Sequence, residues 1–225
     1  PRTLGLLAPS ACVALLLILF VTITAAAIEP HDTITVCPAG PPACDYQTVQ
    51  AAIDAASAAD IVLLEPGVYT GKISLKSNVS LVSSGGPDVT TLTAVEGPIL
   101  AAHGIVSASV EGLSISGAAV VTNVIAIDLH DSQIRLLNCV IHDLHGRWGT
   151  HDAPEGEPAT AIRAVGSGSL AVRGSTIRDL SGGDCLYALD RDADGGDVAG
   201  IVVTGTAQVT VTDTIIRRLR GGNGA

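Results

Sequence analysis

Carboxylates recur at every second position in one stretch of the chain, a spacing typical of calcium-binding loops. The stretch reads DRDADGGD (residues 190–197), and its candidate metal ligands are Asp190, Asp192, Asp194 and Asp197. Alternate carboxylates can converge on one hard cation, and a glycine such as Gly195 permits the sharp turn that follows them. The twelfth position, where a bidentate glutamate is expected, is Ile201. The pattern therefore indicates either a calcium site completed by other ligands or a solvated acidic loop.

A second polar stretch, RWGTHDAPEGEP (residues 147–158), contains the single tryptophan of the chain. An indole ring in a loop can stack on a sugar ring, or it can fold back onto the protein scaffold. The histidines around this tryptophan also suggest zinc, although neither their spacing nor their context is diagnostic of a zinc site. The candidate ligand-binding residues are Trp148, His151 and Asp152, and the further residues considered for zinc are His142 and His145.

Arginines near these two stretches are candidates for base catalysis. A bound cation acidifies the C–H proton beside a carboxylate that it coordinates, and a basic side chain can then remove that proton. Arg147, Arg163 and Arg191 are close enough in sequence to be considered for this role. Nothing in the sequence selects one of them, so the catalytic residues are left unassigned.

The composition limits both the partners and the kind of core. The formal charge of −10 at pH 7 argues against a nucleic-acid partner, because such binding depends on lysines and arginines that neutralise phosphates. Aromatic residues make up 2% of the chain, methionine is absent, and there are 25 glycines. This composition favours regularly stacked β-structure with an aliphatic core. We expect a single domain and a monomeric protein.

An apolar run near the beginning of the sequence, VALLLILFVTI (residues 13–23), predicts export. Arg2 precedes the run and three alanines, residues 25–27, follow it, which is the pattern of a cleaved signal peptide. We predict cleavage after Ala27, a secreted or cell-surface protein, and no membrane span in the mature chain. The alternative is a retained anchor, because about 20 apolar residues span a bilayer. The sequence starts without methionine and stops within a repeat, which we interpret as a piece of a longer chain.

Four cysteines follow the predicted signal peptide. Cys37 and Cys44 flank the short, turn-rich segment PAGPPA, and we predict a disulfide between them because exported proteins can retain such bonds. Cys139 and Cys185 lie far apart in sequence. They could pair or stay free.

Residues 28–60 predict an N-terminal cap that consists of a short strand at 33–36 and an amphipathic helix at 46–58. Asp45 is the expected N-cap of the helix. One apolar stripe of the helix follows the spacing i, i+3, i+4 and i+7, and it contains Val49, Ala52, Ile53 and Ala56. From residue 61 to residue 225 we predict only strands and turns, starting with strands at 61–64, 72–75 and 79–82.

A repeat becomes visible in the second half of the chain. The segments 133–146, 169–182 and 208–221 share apolar residues at the second and fourth places, Ile at the ninth, Leu at the twelfth and Gly at the fourteenth. Matching strands precede them at 126–129, 161–165 and 200–203, and a weaker copy lies at 109–117. Such a unit cannot bury its apolar face alone, so successive units must stack into a solenoid. Two insertions between the matched segments, residues 147–158 and 183–197, contain the two polar stretches. They leave the same corner of successive coils and should lie side by side as lateral loops.

Residues 46–92 resemble the common start of right-handed parallel β-helix proteins of the pectin-lyase-like superfamily. The shared features are a capping helix, a strand, a Pro-Gly turn before an aromatic residue, and the first coils. Together with the repeats, the resemblance covers most of residues 33–221. It implies an all-β, right-handed parallel β-helix whose N-terminal α-helix covers the first coil and protects an open strand edge.

That superfamily includes pectate and pectin lyases, polygalacturonases, pectin methylesterases, and adhesins without catalysis, so the fold does not decide the function. The catalytic signatures of the polygalacturonases and methylesterases are missing from the sequence, and no catalytic triad or nucleophile elbow is recognisable. We expect a non-catalytic exported protein that binds glycan or another surface through its acidic lateral loops, with calcium as the candidate cofactor. The alternative is a polysaccharide lyase or glycoside hydrolase whose active site lies partly outside this sequence.

Overall fold

The computed structural model describes residues 31–117, 124–150, 153, 155–185 and 194–224. The chain divides into two compact units, residues 1–30 and residues 31–225, and the described residues all belong to the second. The predicted signal peptide over residues 1–27 lies outside them. Within the described ranges, no helix is both long enough and apolar enough to cross a membrane.

The second unit consists of short strands and one helix, α1, which spans Val49–Ala55. In chain order the strands are β1 (Thr33–Val36), β2 (Ile61–Leu64), β3 (Gly67–Thr70), β4 (Ile73–Ser74), β5 (Ser80–Ser83), β6 (Thr90–Thr93), β7 (Leu100–His103), β8 (Ala108–Glu111), β9 (Ser114–Ser116), β10 (Val124–His130), β11 (Gln133–Leu137), β12 (Val140–His145), β13 (Ala159–Gly166), β14 (Ser169–Arg173), β15 (Thr176–Ser181), β16 (Val198–Gly205), β17 (Gln208–Thr212) and β18 (Ile215–Arg220).

The strands form three parallel sheets, and successive strands of the chain go to different sheets. Sheet A has the order β1-β2-β5-β8-β11-β14-β17, sheet B the order β3-β6-β9-β12-β15-β18, and sheet C the order β4-β7-β10-β13-β16. From β2 onwards, every third strand returns to the same sheet one rung further along the coil. The fold is therefore a right-handed parallel β-helix, which confirms the predicted fold class.

Aliphatic side chains at equivalent positions stack in columns inside the coil. The columns of sheet B contain Ile141, Ile177 and Ile216, and next to them Leu144, Leu180 and Leu219. The predicted alignment of the three repeats is confirmed, because it placed these residues opposite one another. Ile141 and Ile177 are at most 1% exposed. Ile216 is 44% exposed because it lies in the last rung that the structure describes.

The helix packs against β1, β2 and β4. It spans Val49–Ala55 and so both begins later and ends earlier than the predicted 46–58. Its apolar stripe is buried, as expected, at Val49, Ala52, Ile53 and Ala56. The N-cap is Thr48, whose hydroxyl accepts a hydrogen bond from the backbone N–H of Ala51. Asp45, the predicted cap, accepts hydrogen bonds from the backbone N–H and the hydroxyl of Thr35, both at 2.7 Å. The Asp45 prediction was wrong because this carboxylate is bound to β1 instead.

The cysteines have different environments. Cys37 and Cys44 form a disulfide with their Cα atoms 5.9 Å apart. Cys139 and Cys185, whose fate the sequence left open, are free thiols and both are buried.

Candidate functional site

The two lateral loops, residues 147–158 and 183–197, lie side by side where the structure describes them. The backbone N–H of Gly183 donates to the carbonyl of Glu157 at 3.0 Å, and the N–H of Gly156 donates to the carbonyl of Asp194 at 3.0 Å. A Cβ atom on Gly183 would lie 1.9 Å from the carbonyl oxygen of Arg147. Only glycine permits this close approach of two backbones, and the predicted adjacency of the loops is confirmed.

The acidic side chains of these loops are only partly described. Glu155, Asp194 and Asp197 line one groove of about 530 Å³, whereas Asp190, Asp192, His151 and Asp152 lie outside the described residues. Among the residues that the structure does describe, no group of three histidine, cysteine or carboxylate side chains could hold a metal ion. Trp148 is 71% exposed, so of the two alternatives for its ring, the one in which it folds back onto the scaffold is excluded.

A cluster of four planar polar side chains lies on the outer face of sheet C. We call His103, Asp128, His130 and Arg163 the sheet C cluster. Arg163 donates from Nε to one carboxylate oxygen of Asp128 at 2.8 Å and from Nη2 to the other oxygen at 2.6 Å. The Asp128 side chain is 7% exposed and the Arg163 side chain 40% exposed. This bidentate geometry fixes both planar groups relative to each other.

The two histidines of the sheet C cluster lie on neighbouring rungs, in register. The rings of His103 and His130 stack with their centroids 4.8 Å apart and their planes 6° from parallel. Nε2 of His130 is 3.3 Å from a carboxylate oxygen of Asp128. The imidazoles therefore extend the ion pair into one continuous polar strip across three rungs.

Two opposing influences act on the carboxylate of the cluster. Burial raises the pKa of Asp128, but the hydrogen bonds and charge of Arg163, with a contribution from His130, outweigh it and hold this pKa below its usual value. Hydrogen bonding to Asp128 is the main reason why the pKa of Arg163 is raised. Both groups are therefore charged at neutral pH, and they form a locked ion pair.

The sheet C cluster was not predicted from the sequence, although one signal for it was present. Asp128 and Arg163 both occupy the third place of aligned repeat segments, AIDL at 126–129 and AIRAV at 161–165. Residues at equivalent places of adjacent coils lie opposite each other on one face. Opposite charges at equivalent places of a repeat thus predict an ion pair.

His142, which the sequence suggested for zinc, contacts a serine and a carboxylate instead. Its Nε2 is 2.7 Å from the hydroxyl oxygen of Ser114, and its Nδ1 is 2.6 Å from a carboxylate oxygen of Asp143. His145 lies 2.7 Å from the hydroxyl of Ser181, so the two histidines have different partners. No sequence motif indicated this Ser–His–Asp contact, because Ser114 comes from the previous rung, 28 residues away in sequence.

Comparisons with known proteins concern the fold. No protein-family model matches the chain, and no curated protein sequence is similar to it. Among solved structures it resembles a pectin methylesterase from carrot, with 15% identity, a TM-score of 0.46, and 79% of this chain and 63% of that chain covered.

Two further pectin methylesterase structures show a similar likeness. PemA from Erwinia chrysanthemi has 10% identity and a TM-score of 0.44, with 65% of this chain and 55% of that chain covered. A pectin methylesterase variant in complex with a hexasaccharide has 10% identity and a TM-score of 0.46, with 81% and 67% covered. The chain thus spans less than two thirds of the length of the carrot and Erwinia proteins.

Proposed function

We propose that this protein is exported and that it binds an uncharged polysaccharide on the outer face of sheet C. The observation that supports the proposal is the sheet C cluster, in which the bidentate Asp128–Arg163 pair and the stacked rings of His103 and His130 form one polar strip. Its side chains are positioned before any ligand arrives. Such preorganisation reduces the entropy cost of binding.

The chemistry of the strip matches sugar hydroxyl groups. Hydroxyls both donate and accept hydrogen bonds, and the strip offers guanidinium donors, imidazole nitrogens and a carboxylate within a few ångströms. Arg163 uses two of its N–H groups on Asp128, which leaves other donors for a ligand. The side chains of Arg163 and His130 are 40% and 35% exposed, so a ligand can reach them.

Shape and charge favour an extended, uncharged ligand. Sites for small molecules are concave and mostly apolar, whereas this cluster lies on the outer face of a sheet whose rungs repeat about every 4.8 Å. A polymer that lies along this face contacts several rungs at once. The net charge of −10 disfavours approach of a polyanion, and Asp128 already neutralises Arg163.

The same geometry counts against a lyase that uses Arg163 as its base. A base must lose its proton, and the contact with Asp128 raises the pKa of Arg163 further above neutral. We therefore favour binding over cleavage on this face. Formation of unsaturated products from polygalacturonate in the presence of calcium would reverse that preference.

The lateral loops belong to the proposal as a second contact region. Trp148 is 71% exposed and offers its ring for stacking on a sugar. Calcium binding by Asp190, Asp192, Asp194 and Asp197 is part of the same proposal, and Asp194 and Asp197 support it by lining one groove. Calorimetry with Ca²⁺ tests it: we expect binding heat for the wild type and none for Asp192→Ala, with Asp213→Ala, in the turn between β17 and β18, as control. Heatless titration of the wild type would remove the calcium site.

Affinity electrophoresis in gels that contain an uncharged polysaccharide tests the polysaccharide proposal. Several uncharged polysaccharides are screened. We expect at least one of them to retard the wild type, and we expect His130→Ala to weaken this retardation about 10-fold. His145→Ala is the matched control, because His145 is an exposed histidine on sheet B. Equal retardation of the wild type and His130→Ala, or no retardation by any polysaccharide, would contradict the proposal.

A further inference from the structure

A serine, a histidine and an aspartate follow one another in hydrogen-bonded order on the outer face of sheet B. Ser114 lies on β9 and His142 on β12, one rung further along. With the ring proton on Nδ1, His142 donates to Asp143 at 2.6 Å, and its Nε2 accepts the hydroxyl hydrogen of Ser114 at 2.7 Å. This is the order of nucleophile, base and orienting carboxylate that nucleophilic catalysis requires.

A backbone kink brings Asp143 onto the same face as His142. Neighbouring residues of a regular strand point to opposite faces. Asp143, however, has a φ of 54°, in the left-handed region, and its side chain is 42% exposed. The same kink recurs at Asp179 and Arg218, with φ values of 58° and 57°, so the kink belongs to the fold.

The next rung shows that the fold does not need the serine–histidine contact. In register, Arg178 lies opposite His142, and Arg178 donates to Asp179 as His142 does to Asp143. The residue that follows Ser114 in its own column is Val140, which has no hydroxyl. At Asp179 the kink is therefore satisfied by the arginines Arg178 and Arg218 without any hydroxyl, and the hydroxyl of Ser114 is an addition on its own rung.

The serine and the histidine open onto one groove. This groove has a volume of about 420 Å³, and Ser114, His142, Arg178 and Arg217 contribute to its lining. Ser114 itself is 3% exposed and the His142 side chain 18% exposed, and the groove gives a substrate access to both. The two arginines bring positive charge to this groove, and the carboxylate of Asp88 belongs to the same lining.

We propose that Ser114, His142 and Asp143 form a hydrolytic site for short acyl esters. Ser114 Oγ attacks the ester carbonyl carbon while its proton moves to Nε2 of His142. Collapse of the tetrahedral intermediate breaks the bond to the alcohol oxygen, and the alcohol leaves with that proton. Water then attacks the acyl-serine and gives a proton to Nε2, and release of the carboxylic acid returns the proton to Ser114 Oγ. The net reaction consumes one ester and one water and yields one alcohol and one acid.

Labelling of the full chain with a fluorophosphonate, together with hydrolysis of p-nitrophenyl acetate, tests this site. We expect the label on the peptide that contains Ser114, and a loss of hydrolysis of roughly 1,000-fold or more in Ser114→Ala. The matched control is Ser181→Ala, because Ser181 contacts His145 at the same distance of 2.7 Å. Circular dichroism confirms that both variants fold.

Asp143 is a positioning residue, since it acts through His142. We expect Asp143→Asn to lower kcat with little change in KM, because the wrong tautomer of His142 then faces Ser114, and Asp143→Glu to recover part of kcat. A label on any residue other than Ser114, unchanged hydrolysis in Ser114→Ala, or a wild type that reacts with neither reagent would overturn the proposal. These outcomes do not depend on the polysaccharide experiment, which probes sheet C.

Discussion

The outer faces of sheets B and C carry similar residues in different pairings. On sheet C the carboxylate of Asp128 is held by Arg163, whereas on sheet B the carboxylate of Asp143 is held by His142. A guanidinium stays protonated in proteins, but an imidazole exchanges its proton near neutral pH. On sheet B, the hydroxyl of Ser114 also contacts the opposite side of the His142 ring, at Nε2.

This difference separates a rigid surface from a reactive one. The Asp128–Arg163 pair has no proton to transfer at neutral pH, and its value lies in its fixed geometry. The Ser114–His142–Asp143 series can pass a proton from hydroxyl to ring, because each nitrogen of the ring has a partner of the correct type. A single change of cation, from arginine to histidine, thus changes what a rung of the same coil can do.

Replacing the histidine by the arginine of the next rung gives the largest expected effect. His142→Arg reproduces the Arg178–Asp179 pairing on the preceding rung, so we expect folding to be retained and ester hydrolysis to fall by roughly 100- to 10,000-fold, the usual contribution of a general base. Steady-state hydrolysis of p-nitrophenyl acetate measures this loss, with His145→Arg as control. Hydrolysis by His142→Arg near the wild-type level would show that His142 does not make sheet B reactive where sheet C is not.

Breaking the ion pair of sheet C should affect stability instead of catalysis. Arg163→Met leaves the nearly buried carboxylate of Asp128 with the His130 ring as its remaining polar neighbour in the cluster. Because Arg163 is partly exposed, we expect a loss of about 2 kcal/mol in the free energy of unfolding, below the usual range for a fully buried pair. Urea denaturation measures it. Arg178→Met is the comparison, and its effect should be smaller because Asp179 also accepts from Arg218. Equal losses in both variants would contradict this account.

The pH dependence of stability should report the same ion pair. The pKa of Asp128 is lower in the folded protein than its ordinary value, so its contribution to stability is complete above the pKa of the unfolded chain, about 3.9. That contribution disappears as the pH falls through the folded pKa. We therefore expect the unfolding free energy to fall less steeply in acid for the double variant Asp128→Asn with Arg163→Met than for the wild type. Identical slopes would mean that the pair does not lower the pKa of Asp128.

The smallest expected effect concerns the core that supports both faces. Cys139 is 1% exposed, and burial raises the pKa of its thiol to about 11, so little reactive thiolate is present at mildly alkaline pH. We expect no reaction of Cys139 with Ellman's reagent in the native protein and full reaction after denaturation. Rapid modification of Cys139 in the native protein would show that the coil between the two faces is open.

The repeats made much of the fold predictable. Ile141, Ile177 and Ile216 recur at one place of a template, and burial of an aliphatic column allows one register of stacking. The helix was predictable from the spacing of Val49 and Ile53, but its first residue was not. The carboxylate of Asp45 had a stronger partner in Thr35, and that contact with a distant strand is invisible in local sequence.

The polar clusters were much harder to predict. Asp128 and Arg163 were within reach because they occupy equivalent places of the repeat, yet His103 pairs with His130 on a rung whose sequence does not fit the template. Ser114 and His142 belong to different columns of their sheet, so alignment alone does not bring them together. The acids proposed for calcium, Asp190 and Asp192, remain a prediction.

The amino-acid sequence by itself determined how the inward-facing residues of this protein are arranged. Apolar residues at a repeating place must leave water together, and that requirement specifies the coil, its rungs and its core. Only the tertiary structure decided which outward-facing side chains contact one another. Outward residues are not held in place by burial, so which of them meet depends on the corners and loops between rungs, and on kinks such as the left-handed backbone at Asp143. These local features, on two adjacent rungs, bring Ser114 into contact with His142 and His142 into contact with Asp143.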